Sequence, residues 1–277
     1  MTNGEPVPAD ASSETGVAAT VPARLDAAVV LVRHGESTWV AQGRVQGRAN
    51  PPLSVLGHHQ AALVAARLAH PLAPPPLPVP TGRVLGCWHS TLDRAASTAT
   101  AIAAACGPDL ELHPDERLQE IGQGEWEGLT GAEVQARFRQ VRRGWQRDPV
   151  RVHAPGGESL PEVSRRAASF ASELLAKLGE PNPRGEAASS TGLAIAAPAA
   201  PWAIVVSHEG LLRVLLLSLL DLPLDAFWRF PLGLCGISVV EVHNGRQSLR
   251  AHNMLDHLGP IGAVAPAPAA SDRNGPL

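Results

Sequence analysis

The feature that most constrains the fold is a run of aliphatic residues, Val29–Val32, that leads directly into Arg33, His34 and Gly35. Continuous β-branched and aliphatic residues predict a strand buried on both faces, and the glycine predicts a tight turn immediately after it. In open α/β folds, ligands bind beyond the carboxyl ends of the strands. The run therefore predicts a buried strand that delivers Arg33 and His34 to a ligand site.

Polar residues also follow two later strands. A strand predicted over residues 83–88 leads to Arg94, and a strand predicted over residues 203–208 ends on His208. Parallel strands present their carboxyl ends at one edge of a sheet, so these side chains are expected beside the first pair. Two arginines and two histidines form a positive concavity rich in hydrogen-bond donors. Because guanidinium groups pair bidentately with phosphate oxygens, the expected guest is a phosphoryl group.

Helical patterns separate these strands. Ser54 is a suitable N-cap, and capping boxes pair Thr130 with Glu133 and Ser159 with Glu162. The predicted helices run from Ser54 to about residue 70, through an alanine-rich stretch that stops at residue 107, after residue 130 with apolar positions 134, 138 and 141, after residue 159, and over 211–220. The other predicted strands are a short one over 110–112 and a closing hairpin over 237–242 and 249–252. This alternation predicts an α/β fold, a three-layer α/β/α sandwich with a mostly parallel central sheet.

Segments of biased composition set the expected domain organisation. Residues 1–26 are rich in Ala, Pro, Ser, Thr and Glu without periodicity and are expected to be disordered, as is the Ala/Pro-rich tail over residues 259–277. One domain is expected over residues 27–258, interrupted by a flexible Pro/Ala/Ser-rich insertion over residues 181–201. With 44% hydrophobic and 18% charged residues, this domain has the composition of a globular protein.

Charge and cysteine content exclude several classes of function. A net charge of −3 does not favour nucleic-acid or membrane-surface binding. The apolar stretch Leu211–Leu220 is interrupted by Arg213 and Ser218 and is shorter than the roughly 18–20 residues that a membrane span needs. Three widely spaced cysteines and the lack of a signal peptide predict a cytoplasmic protein without disulfides. No histidine pair at metal-ligand spacing accompanies His34, so no metal site is expected.

An ordered series of motifs spans the chain from about residue 28 to residue 255. The sequence resembles the histidine phosphatase superfamily, in the branch shared by cofactor-dependent phosphoglycerate mutases and small phosphomonoesterases. The resemblance implies a phosphoglycerate mutase-like fold. The matching residues are Leu31–Trp39; Arg44, Gln46 and Gly47; Pro52–Ser54; Gly57, Gln60 and Ala61; Ser90, Leu92, Arg94, Ala95, Thr98 and Ala99; Leu118, Glu120 and Gly124; Trp126–Gly128; Pro155–Ser159; and Val205–Gly210.

The resemblance implies metal-independent hydrolysis of a small phosphorylated metabolite, with no cofactor. His34 would attack phosphorus through a neutral ring nitrogen and form a phosphohistidine. Arg33, Arg94 and His208 would hold the phosphoryl oxygens. Glu120 would protonate the leaving alcohol and then deprotonate the attacking water.

The loop that the family places next to the phosphate is only partly matched. Ser37, Gln46 and Gly47 are expected to line it. Val40, however, stands where the family usually has an asparagine that contacts phosphate, so one donor is missing. Asn50 replaces a common aspartate, and at residue 91 a threonine replaces another; neither change removes a reacting group.

Two alternative functions stay open. A phosphoglycerate mutase would retain the phosphohistidine, and mutases tend to carry Glu-Arg-His-Tyr-Gly where this chain has residues 120–124 as Glu-Ile-Gly-Gln-Gly and no tyrosine anywhere. A weakly active or inactive member would act as a binding or regulatory scaffold, for which Val40 is the only support. Glu125 and Glu127 lie close to Glu120, so the choice of the acid rests on family spacing. The sequence leaves the oligomeric state open.

Overall fold

The computed structural model describes residues 16–181 and 200–261, and six strands in this part of the chain form one central sheet. The sheet order is β3-β2-β4-β1-β5-β6, and every pair among the first four strands is parallel. β5 is antiparallel to both of its neighbours. The strands are β1 (Ala27–Arg33), β2 (Val84–His89), β3 (Leu112–Pro114), β4 (Trp202–Ser207), β5 (Ile237–His243) and β6 (Arg246–Met254).

Helices cover both faces of the sheet. They are α1 (Thr38–Ala41), α2 (Val55–Ala69), α3 (Asp93–Cys106), α4 (Gly131–Arg137), α5 (Arg139–Arg147), α6 (Leu160–Leu178) and α7 (Glu209–Leu219). Along β1, Val29 and Leu31 join the core that contains α6 and α7, whereas Val30 and Val32 join the core that contains α2 and α3. Successive side chains of a strand point to opposite faces, so the central strands are apolar throughout. The predicted three-layer α/β/α sandwich is confirmed.

The predicted helix starts depend on local hydrogen bonds. The Ser54 hydroxyl accepts from the Gly57 amide at 3.0 Å and caps α2. Both capping boxes form, at Thr130 for α4 and at Ser159 for α6. These contacts satisfy amides that have no partner within the helix, which explains why the starts are readable from the sequence.

One predicted helix and one predicted strand differ from the structure. The helix that begins after Thr130 is divided into α4 and α5, because Phe138 has a φ of −125° and a ψ of 30° and is not helical. The short strand predicted over 110–112 lies two residues later, where it pairs with β2. No helix within the two described ranges is both long and apolar enough to cross a bilayer.

Residues 16–26 were expected in the disordered N-terminal segment, but they lie against the domain. The Val17 amide donates to the Ser164 hydroxyl at 2.8 Å, and the Ala19 amide donates to the carbonyl of residue 218 at 3.0 Å. Ala19 and Leu25 are buried. Backbone bonds to α6 and α7 hold a segment whose composition alone gives no sign of order. Most of the predicted insertion, the first 15 residues and most of the tail lie outside the described residues.

Candidate functional site

The three central parallel strands bring the predicted residues to one sheet edge. His34 directly follows β1, and its amide donates to the Ser207 carbonyl at 2.9 Å; β4 leads directly into His208. The rings of His34 and His208 have centroids 5.1 Å apart, tilted by 59°. Both rings are essentially inaccessible to solvent. The two histidines therefore form a closely spaced buried pair, as the strand pattern predicted.

His34 is held with one ring nitrogen available. Its Nδ1 lies 2.6 Å from the Gly35 carbonyl oxygen, which only accepts, so this nitrogen carries the proton. Burial lowers the pKa of His34 well below its ordinary value of 6.5, and the charges of Arg94 and Arg33 lower it further. The ring is therefore neutral at neutral pH, and Nε2 has a free electron pair. Nε2 is the nitrogen equipped for nucleophilic attack.

The turn after His34 requires glycine at two positions. A Cβ on Gly35 would lie 2.5 Å from the Gly57 carbonyl oxygen, and a Cβ on Gly57 would overlap the Glu36 carbonyl oxygen. The first turn of α2 thus packs directly on the loop that carries His34. The Glu36 carboxylate accepts from the Ser54 hydroxyl at 2.6 Å, so it braces this turn.

Two buried arginines flank the histidines. Arg33 Nη1 donates to the Leu232 carbonyl at 2.6 Å, and the two Nη atoms of Arg94 donate to the carbonyls of Ala49 and Gly47 at 2.8 and 2.9 Å. Burial lowers the pKa of Arg94 to about 10, so it remains a cation at neutral pH. Neither Nε atom has a hydrogen-bond partner among the described residues. Each arginine therefore keeps a buried donor free.

Glu209 and Arg213, which hold Arg33 in place, were not predicted from the sequence. Glu209 accepts from Arg33 Nη1 at 2.6 Å and from Arg213 Nη2 through its other oxygen. Arg213 is buried against the rings of Phe227 and Trp228, with its guanidinium carbon 5.3 and 5.2 Å from their centroids. The sequence did contain a sign of them, because Glu209 and Arg213 are charged residues four positions apart within the otherwise apolar helix α7. They form a buried chain of Arg33, Glu209 and Arg213 behind the site.

Glu120 lies at the N-terminus of α7, beside the histidines in the fold. Its carboxylate accepts from the amides of Ile121, Gly210 and Leu211 at 2.9, 3.2 and 3.0 Å. A Cβ on Gly210 would lie 2.7 Å from Glu120 Oε1, so the glycine permits this approach. The amides at the N-terminus of α7 therefore hold the carboxyl group of Glu120 in place.

The two neighbouring glutamates occupy other positions. Glu127 Oε1 accepts from the amides of Arg48 and Gln123 at 2.9 and 3.0 Å, and Glu125 is exposed. Trp126, between them, is buried in the core. Of the three glutamates, only Glu120 is buried and contacts the strand edge that carries His208.

The predicted loop residues form a braced turn. The Ser37 hydroxyl donates to Gln46 Oε1 at 2.5 Å and accepts from the Val40 amide at 3.1 Å. Gly47 has a φ of +50°, which favours glycine, and its carbonyl is bound by Arg94. Both Ser37 and Gln46 are buried. The two other residues that differ from the family pattern, Asn50 and Thr91, make hydrogen bonds outside this turn. Asn50 accepts from the first backbone amide of α3 at 2.7 Å, and the Thr91 hydroxyl accepts from the side-chain amide of Gln119.

A polar cleft adjoins these groups. It has a volume of about 550 Å³ and is lined by four glycines together with Arg48, Glu127, Glu158 and Glu162. Glu158 binds Arg166 through both oxygens at 2.8 Å and contacts Arg48, whose side chain is 47% exposed, at 3.2 Å. Arg48 follows Gly47, whose carbonyl Arg94 binds, so the lining of this cleft is continuous in the chain with a residue that contacts Arg94. Within the described ranges, no three His, Cys, Asp or Glu side chains are grouped as a metal site.

Comparison with known proteins gives consistent matches. Residues 29–255 match the profile of the family described as histidine phosphatase superfamily (branch 1). Phosphoserine phosphatase 1 of Hydrogenobacter thermophilus is 32% identical over 231 residues, which cover 83% of this chain and 94% of that protein. A probable phosphoglycerate mutase GpmB of Yersinia enterocolitica is 34% identical, covering 77% and 84%. The structure of a mycobacterial glucosyl-3-phosphoglycerate phosphatase complexed with VO3 aligns with a TM-score of 0.66 and 28% identity, covering 82% and 99%.

Proposed function

The chain belongs to the histidine phosphatase superfamily, as its motifs predicted, and we propose that it is a metal-independent phosphomonoesterase acting through a phosphohistidine. One observation carries the proposal. Arg33 Nε, Arg94 Nε and His208 Nδ1 are buried and have no hydrogen-bond partner among the described residues. Leaving a buried polar atom unpaired costs about 1–3 kcal/mol, more for a charged group. A phosphoryl group brought between these donors and His34 would satisfy all three.

The proposed first step transfers the phosphoryl group to the enzyme. His34 Nε2 attacks phosphorus, the P–O bond to the alcohol breaks, and Glu120 gives its proton to the leaving oxygen. Arg33, Arg94 and His208 stabilise the charge on the transferring oxygens. In the second step Glu120 takes a proton from water, the water oxygen attacks phosphorus, and the N–P bond to His34 breaks. The products are inorganic phosphate and the free enzyme.

The proposed substrate is a small phosphorylated metabolite with a polar leaving group. The polar cleft that begins at Arg48 is lined by charged side chains of both signs and by four glycines. A relative named phosphoserine phosphatase and a structural neighbour named glucosyl-3-phosphoglycerate phosphatase are consistent with a leaving group of this kind. Neither nucleic acid nor a membrane is a proposed partner. We also propose a cytoplasmic location, which the free thiols of Cys87, Cys106 and Cys235 support.

Mutase activity is the second candidate, since one relative is named a probable phosphoglycerate mutase. A mutase must protect the phosphohistidine from water and return the phosphoryl group to a bound product. Conversion of 3-phosphoglycerate to 2-phosphoglycerate, compared with release of inorganic phosphate, separates the two activities. Dominant phosphate release supports the phosphatase, and dominant isomerisation identifies a mutase. The absence of both activities with every phosphoester tested would favour a scaffold.

The proposal is tested by hydrolysis of an aryl phosphate in the presence of EDTA. The wild-type protein is expected to be active, and His34→Ala to be inactive, because the nucleophile is missing. His59→Ala is the matched control, since this histidine is exposed on α2 away from the strand edge. Activity that survives in His34→Ala, or that EDTA abolishes in the wild type, contradicts the mechanism. Acid-labile incorporation of phosphate in Glu120→Gln would identify the intermediate directly.

A further inference from the structure

The hydrogen bond between Ser90 and His208 bears on which nitrogen of His208 carries a proton. Ser90 follows β2, and its hydroxyl oxygen lies 2.7 Å from His208 Nε2. The same oxygen accepts from the Leu92 amide at 3.2 Å. Ser90 is fully buried. A serine hydroxyl has one hydrogen to donate and two electron pairs to accept with, so the direction of each bond can be assigned.

Only one assignment satisfies the groups around Ser90. With one electron pair engaged by the Leu92 amide, the hydroxyl hydrogen still requires an acceptor, and His208 Nε2 is the acceptor within reach among the described residues. If His208 Nε2 carried the proton, it would donate to the second electron pair of the Ser90 oxygen, and the Ser90 hydrogen would be left unpaired in a buried site. The Ser90 hydroxyl therefore donates to His208 Nε2.

The other nitrogen of the same ring then carries the proton. His208 Nδ1 is buried and has no partner among the described residues. Burial lowers the pKa of His208 well below 6.5, with Arg94 and His34 as the next causes, so the doubly protonated ring is disfavoured. A neutral ring that accepts at Nε2 has its hydrogen at Nδ1.

We propose that Ser90 is a positioning residue that fixes His208 in the Nδ1–H tautomer and thereby makes it a hydrogen-bond donor to the phosphoryl group. This inference rests on the proposed function, in which a phosphoryl group occupies the pocket between His208 and His34. In the opposite tautomer, Nδ1 would present an electron pair to the phosphoryl oxygens and repel them. Ser90 is fully buried and is bonded to His208, so it would act on the phosphoryl group through His208.

The tautomer is measured directly by the ¹⁵N chemical shifts of the histidine rings at neutral pH. The signals of His208 are assigned by their loss in His208→Gln. In the wild-type protein with inorganic phosphate, the expected pattern has the protonated nitrogen at Nδ1 and the unprotonated nitrogen at Nε2. A protonated Nε2 in the wild type overturns the proposal. This readout needs no turnover, so it is independent of whether the protein is a phosphatase.

Ser90→Ala tests the consequence. Removing the hydroxyl frees His208 to adopt the Nε2–H tautomer, so the ¹⁵N pattern should shift. Inhibition by inorganic phosphate and kcat/KM should both weaken by about 10- to 100-fold, the range for one hydrogen bond to a charged group. Ser90→Thr keeps the hydroxyl and should restore the tautomer and most of the activity. Unchanged phosphate inhibition in a folded Ser90→Ala protein contradicts the proposal.

The neighbouring residue provides a matched control. Thr91 is exposed, and its hydroxyl accepts from the Gln119 side chain at 2.8 Å. Thr91→Ala removes a hydroxyl one position away without touching His208 and should leave both the ¹⁵N pattern and kcat/KM unchanged. A failure of the proposed function would appear differently, as hydrolysis that persists in His34→Ala. The two outcomes are therefore distinguishable.

Discussion

Replacing Arg213 by methionine tests whether the buried charge chain behind the site supports both stability and activity. Methionine keeps the apolar contacts with Phe227 and Trp228 but removes the cation that Glu209 binds. Breaking a buried ion pair from one side costs about 3–5 kcal/mol. Glu209 keeps its bond to Arg33 at 2.6 Å, so we expect a loss near the lower limit, about 3 kcal/mol.

The same substitution should affect catalysis through Arg33. Without Arg213, both oxygens of Glu209 become available to Arg33, and a bidentate pair would draw its guanidinium away from the phosphate pocket. We expect kcat/KM to fall by about tenfold, equivalent to about 1.4 kcal/mol, with weaker inhibition by inorganic phosphate. The assays are urea unfolding followed by fluorescence and initial-rate kinetics. Glu209→Gln combined with Arg213→Met should be less destabilising than the sum of the single changes, because the two groups are directly coupled.

Arg229→Met is the matched control for this experiment. Arg229 is exposed on the same segment as Phe227 and Trp228, so its replacement should leave stability and kinetics unchanged. If Arg213→Met unfolds at the wild-type urea concentration and binds phosphate normally, the argument is refuted. If the changes at Arg213 and Glu209 are additive, the charge chain does not act as a unit.

Two more predictions concern the loop that carries His34. Because burial and the arginines lower its pKa below 6.5, the unfolded chain binds a proton in this range that the folded chain does not. Stability should therefore fall as the pH drops below 6.5, by up to about 1.4 kcal/mol per pH unit for this histidine. His34→Gln should reduce that slope in pH-dependent urea unfolding, and exposed His243→Gln should not. Gly57→Ala should lower stability by about 1–3 kcal/mol and reduce kcat/KM, because the added Cβ overlaps the Glu36 carbonyl. Gly131→Ala is the control, since a Cβ there meets no close neighbour. Equal melting temperatures for the two variants would contradict this prediction.

The parts of the fold that the sequence predicted correctly depend on local signals. Aliphatic runs that end in charged residues identified β1 and β4, and capping residues identified the starts of α2, α4 and α6. These signals use the period of the element or a bond within one turn, so they need no knowledge of the rest of the fold. The gathering of Arg33, His34, Arg94 and His208 followed from one further rule, that parallel strands share an edge.

The missed features depend on contacts between distant segments. Residues 16–26 are ordered by bonds to Ser164 and to the carbonyl of residue 218, and nothing in their own composition shows it. In the sequence, Arg213 is only an interruption of an apolar stretch. Its ion pair with Glu209 and its contacts with the rings of Phe227 and Trp228 form only in the folded chain. Long-range contacts of this kind are outside the reach of periodicity.

The buried charges of the site have two effects, one on the histidine that attacks phosphorus and one on the phosphoryl group. Arg33, Arg94 and Arg213 are three buried cations, against the two buried carboxyl groups of Glu120 and Glu209, so the net charge of this group is positive when both histidines are neutral. That charge opposes protonation of the histidine rings and so keeps the attacking nitrogen free. It also attracts a phosphoryl dianion. Because a nucleophile that stays neutral cannot supply the proton that the leaving alcohol needs, a separate acid is required, and Glu120 is the carboxyl that lies at this edge.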